Sequence, residues 1–138
     1  MSRIDEAVQL FEGNYLCSQA VFTVFSEEFG LSKEDAFKIG ACFGSGMRQA
    51  EVCGACTGAL MALGLKYGDN KEKCNEVSDR FFEEFKKENA SFICRDLLGC
   101  DISTPEGVKS ALEKNLFKEF CPKMVASAVE ITEKIMDE

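Results

Sequence analysis

The sequence contains no histidine. That absence removes Cys/His zinc fingers, Cys–His catalytic pairs, Ser–His triads and imidazole acid–base chemistry together. Basic residues are outnumbered, 16 Lys and Arg against 24 Asp and Glu, giving a net charge of −8. Nucleic acids and anionic membranes require a basic footprint, so neither is an expected partner. The charge lies in short alternations such as Glu83-Glu84-Phe85-Lys86-Lys87-Glu88, the pattern of a solvated surface. Long apolar runs are missing too: the longest, Val52 to Leu65, has 14 residues, and a spanning helix needs about 20, so no membrane insertion is expected. The opening MSRIDEAVQLFEGNY has acids from position 5 and no apolar leader segment, which predicts a cytoplasmic protein. Only two prolines occur, so little opposes helix formation.

What the chain does have is 46% hydrophobic residues and eight cysteines in 138 positions. This length builds a core without disulfide support. Apolar residues recur near every 3.6 positions and no alternating strand pattern appears, which predicts an all-α fold. One cysteine-rich domain over residues 1–138 is expected, a compact bundle of six to eight helices with the Val52–Leu65 helix central and nearly inaccessible.

Asn14 reads as the cap of a helix with the stripe Cys17, Ala20, Val21, Val24, Phe25, stopped near Gly30. Ser32 starts a second helix with Ala36, Ile39 and Phe43 inward, and GSGMRQ is a loop. That loop lacks the Gly-Lys-Ser/Thr ending of a phosphate cradle and follows a helix rather than a strand. A helix from about Glu51 to Leu65 comes next, then an amphipathic one from Asp69 or Asn70 with Val77, Phe81 and Phe85 on its apolar side. Ser91 to Leu98 reads as a short helix stopped by Gly99. Thr104-Pro105 and Cys121-Pro122 are start signals for the last two helices.

Placed on these elements, Cys17, Cys53, Cys56, Cys94 and Cys121 fall at or near four helix starts. Unpaired N–H groups there favour the thiolate, the form that attacks disulfides and binds metals. Arg48, Arg95 and Lys123 stand nearby in sequence and add positive charge. Each of these cysteines also continues an apolar stripe and taken singly fits a small core side chain, but burial alone predicts neither the Cys-x-x-Cys spacing nor the repeated helix-start placement. Cys42 and Cys74 read as core residues. Cys100 reads as a loop thiol, with pairing to Cys94 as its alternative. Gly54, Gly58 and Ala62 recur every four residues and leave one helix face smooth enough for another backbone to approach Cys53.

Cys53-Gly54-Ala55-Cys56-Thr57-Gly58, with Cys17 in NYLCSQAV, Cys94 in FICRDLLG and Cys121 in EFCPKMV, resembles the C_GCAxxG_C_C family of small proteins assigned a redox role, over essentially the whole chain. The resemblance implies that Cys17, Cys53, Cys94 and Cys121 are the shared cysteines. Cys56 fills a position that the motif leaves open, so the Cys-x-x-Cys dithiol is not implied by the resemblance.

Two functions fit these residues. In the first, an enzyme of the thiol-disulfide oxidoreductase kind, Cys53 attacks and Cys56, Cys17, Cys94 or Cys121 resolves the mixed disulfide; no cofactor is needed, and a redox partner protein is implied. In the second, Cys17, Cys53, Cys94 and Cys121 converge on an iron–sulfur cluster or zinc. A homodimer is expected only if the central helix or the Phe-rich stripe stays uncovered.

Overall fold

The computed structural model describes residues 1–138. The order is α1 (Arg3–Glu12), α2 (Cys17–Ser26), α3 (Lys33–Ile39), α4 (Gly54–Tyr67), α5 (Lys71–Asn89), α6 (Cys94–Leu98), α7 (Pro105–Glu113), the single turn α8 (Leu116–Glu119) and α9 (Cys121–Met136). The chain is 78% helical with no strand, and eight of these helices are longer than a single turn. The expected all-α bundle is what forms.

Side-chain caps set many of the boundaries. Ser32 accepts the Asp35 N–H at 3.1 Å, Asn70 the Lys73 N–H at 3.0 Å and Thr104 the Gly107 N–H at 3.0 Å, as the sequence predicts. Asn14 does not cap α2. It sits at φ 75° in the preceding turn, and the Leu16 N–H is instead taken by the Gln19 side chain at 2.9 Å. Helix α1 is capped by Ser2 on the Asp5 N–H at 3.0 Å. It is tied in by Arg3, whose guanidinium lies over the Phe25 ring at 4.6 Å and pairs with Glu28 and Glu133.

Helix α4 packs between α2, α5 and α9. Phe25, Leu63, Phe81, Phe85, Val125 and Val129 fill the interior around it, each sealed from solvent. The approach of α2 to α4 explains Gly58: a Cβ there would stand 2.6 Å from the Ser18 carbonyl oxygen. Burial is confined to the first ten residues of α4. Gly64, Leu65 and Lys66 are exposed, so the helix is central at its start but not inaccessible along its length. The α9 stripe, Met124, Val125, Ala128, Ile131, Thr132 and Ile135, is buried. Ile39, expected inward, is 48% exposed, because α3 is short and turns at Gly40.

Candidate functional site

The loop before α4 is a run of left-handed backbone. Ser45, Gly46, Met47, Arg48 and Ala50 all have φ between 54° and 62°. Four of these are not glycine, and each such residue costs about 1–2 kcal/mol, so the surrounding contacts must hold the run in place. Arg95 supplies one hold, donating to the Ala50 carbonyl at 3.1 Å and pairing with Glu51 at 2.9 Å. The run delivers residues 51–53 as extended chain against residues 92–94. The Cys53 N–H donates to the Phe92 carbonyl at 2.8 Å and the Cys94 N–H to the Glu51 carbonyl at 2.6 Å, on either side of the Val52–Ile93 bridge. In this antiparallel register Cys53 stands opposite Phe92, so the Cys53 and Cys94 side chains leave on the same face.

The helix therefore begins later than its sequence suggests, with Cys53 as the N-cap residue and Gly54 as the first helical one. The Cys53 N–H is spent on the bridge and its side chain makes no capping hydrogen bond, but the sulfur lies beside the Ala55 and Cys56 N–H groups and the Cys56 thiol. These donors hold the Cys53 thiol below its ordinary range, with the Cys56 thiol the largest contributor, against the opposing effect of burial. Cys56, fully buried inside the helix, is driven the other way by burial and by its role as donor.

Cys17, Cys94 and Cys121 each occupy the first position of their helix, in α2, α6 and α9. All three, with Cys53, line one cavity of about 520 Å³. Burial pushes each of the three up to about 12, and charge on Cys53 adds to it. The expectation that every helix-start cysteine would be a thiolate is thus corrected: desolvation outweighs the helix terminus at three of them, and the cluster favours one anion, on Cys53. Arg95 acts only weakly on Cys94, since its guanidinium is engaged with Glu51. Cys17 is partly exposed as a residue, yet its sulfur rests against the Cα of Gly54.

Of the remaining thiols, Cys42 is exposed in a short turn, contrary to its core assignment. Cys74 is half-buried and donates to the Tyr67 carbonyl at 3.1 Å. Cys100 is a loop thiol, in the bend after α6, unpaired and buried, with its sulfur toward Leu98 and Ser110. No three cysteine or carboxylate side chains are gathered closely enough to hold a metal ion, so the four cavity cysteines share a space without forming a coordination shell.

Residues 15–135, which include all four of these cysteines and the Cys-Gly-Ala-x-x-Gly segment, match the family described as "Putative redox-active protein (C_GCAxxG_C_C)". The chain belongs to this family. No curated protein and no solved structure matches it. The geometry gives the C_GCAxxG_C_C motif a physical meaning: the first glycine leaves room for the Cys17 sulfur and the second for the α2 backbone. The cavity's other walls, from Phe11, Phe117, Phe120 and Met124, were not singled out as site residues in the sequence. No motif marks them, because they resemble ordinary core positions on amphipathic helices.

Proposed function

We propose that this member of a redox-active family is a thiol-disulfide exchange protein in which Cys53 attacks and Cys56 resolves. The observation that carries this is the placement of Cys53 as the N-cap residue of α4, three positions before Cys56 and on the lining of a cavity, where the neighbouring Cys56 thiol and first-turn amides lower its titration. The Cys53 thiolate attacks one sulfur of a substrate disulfide. A Cys53–substrate S–S bond forms, the original S–S bond breaks, and the departing sulfur carries the electron pair away as a thiolate. Cys56 then gives up its proton and attacks the Cys53 sulfur. The second half of the substrate leaves as a thiolate that takes up the proton Cys56 gave, the first takes one from water, and the substrate is reduced to two thiols while Cys53–Cys56 is oxidised by two electrons.

Cys17, Cys94 and Cys121 remain protonated around the anion in this scheme. They keep the cavity free of competing charge and leave one nucleophile in it. The four-thiolate metal site has less support, since the sulfurs do not gather within ligating reach of a single point.

The test is mass spectrometry of the reduced protein after exposure to a disulfide. The expected product has lost two hydrogens and contains a Cys53–Cys56 peptide pair. Cys53→Ser should abolish exchange, and Cys56→Ser should accumulate a mixed disulfide on Cys53. Undiminished exchange in Cys53→Ser would overturn the assignment.

A further inference from the structure

We infer that the cavity beside Cys53 is a binding site for a small, uncharged, apolar molecule, and that this molecule carries the disulfide reduced there; the second half of the inference rests on the exchange function proposed above. The walls come from four parts of the fold: Phe11 of α1, Leu97 of α6, Ile102 before α7, and Phe117, Phe120 and Met124 around the start of α9. The four cysteines Cys17, Cys53, Cys94 and Cys121 line the same space. A volume of about 520 Å³ lies within the range that small ligands occupy, and an apolar lining with a few convergent polar groups is the usual make-up of such sites.

Charge selects among small disulfides. Apart from the Cys53 thiolate, the only ionic side chains on the lining are Glu12 and Lys118, both exposed and opposite in sign, and no arginine is among them. A carboxylate-bearing peptide disulfide would leave its charges unpaired and desolvated against phenylalanine and leucine. Burial selects against a disulfide held in a folded partner. Cys53 and Cys94 are only 8% and 7% exposed, so the reacting sulfur must enter the cavity rather than dock on a surface. The rim adds Tyr15 and Leu16, 42% and 36% exposed, which a compact apolar guest would shield from water.

The binding half is tested with N-phenylnaphthylamine, an uncharged apolar fluorophore with no disulfide, on the reduced protein and on Cys53→Ser. Saturable fluorescence at one site is expected in both, because the walls and not the thiolate bind it. Phe117→Asp and, independently, Ile102→Asp should each weaken it by on the order of tenfold or more while the helical circular dichroism is kept. No saturable signal, or a signal indifferent to both wall variants in folded protein, would overturn the site.

The substrate half is tested by comparing the uncharged disulfide dithiodipyridine with the dianionic dithiobis(nitrobenzoate), each rate divided by its rate with the unfolded chain. The Cys53-dependent rate should favour the uncharged reagent by on the order of tenfold. Equal normalised rates would overturn the charge selection. Fluorophore binding together with disulfide reactivity unchanged by Cys53→Ser would leave the apolar site standing and defeat the exchange function on which the substrate assignment rests.

Discussion

The sulfur of Cys17 rests on the Cα of Gly54, so close that any side chain at position 54 would overlap it. Two motif residues 37 positions apart (54 − 17) thus form one contact, and the first glycine of the motif acts as the seat of a thiol.

Gly54→Ala must displace the Cys17 sulfur and should destabilise the protein by about 1–3 kcal/mol, the usual cost of overpacking. Gly58→Ala should cost at least as much, because the obstructing group is the Ser18 backbone, which cannot rotate away. Gly64→Ala meets nothing within 4 Å on an exposed helical position. It should stabilise by about 0.5–1 kcal/mol. Urea unfolding of the three variants checks both the signs and the order.

Alkaline pH should unfold the protein through its buried thiols. Cys17, Cys94 and Cys121 have values raised from 9.0 to about 12, so their contribution is fully present below about pH 9 and is lost as pH rises toward 12. Cys53 is shifted the opposite way: its contribution is present at alkaline pH and is lost as pH falls through its lowered value. Denaturant midpoints measured across this window should fall steeply in the native chain. The fall should be shallower in a Cys17→Ala, Cys94→Ala, Cys121→Ala variant.

Alkylation should discriminate Cys53 from the exposed Cys42 by its pH dependence rather than by its absolute rate. Exposure favours Cys42, whereas the lowered titration of Cys53 preserves its thiolate in acid. The ratio of Cys53 to Cys42 labelling, read by peptide mass spectrometry, should rise as pH is lowered from about 8 to about 6. A ratio independent of pH would contradict the lowered titration of Cys53.

Arg95→Gln should leave global stability within about 1 kcal/mol, since its pairing with Glu51 is at the surface. Its hold on the Ala50 carbonyl, however, secures the left-handed run. Amide hydrogen exchange at Cys53 and Cys94, whose N–H groups form the two bonds of the bridge, should accelerate selectively in this variant.

Much of this architecture was legible in the sequence because it is local. The Ser32, Asn70 and Thr104 caps and the α9 stripe follow from side chains a few residues apart. Three features were not legible. The Cys53 cap depends on Phe92, 39 positions away (92 − 53), which takes the N–H and delays the helix from Glu51 to Gly54. The ionisation of Cys17, Cys94 and Cys121 depends on how deeply a fold buries them, and the pull of a helix start alone predicted the wrong sign. The left-handed conformation of Met47, Arg48 and Ala50 runs against their intrinsic preference and is imposed by tertiary contacts.

The walls around Cys53 also set an order of events during synthesis on the ribosome. Cys53 and Cys56 emerge early, and their helix is local, but Phe117, Phe120, Cys121 and Met124 follow about 60–70 residues later. At translation rates of about 5–20 residues per second, the dithiol spends several seconds without the α9 side of its enclosure. During that interval Cys53 lacks the walls that bury it in the folded chain, and its thiol is open to any oxidant in its surroundings.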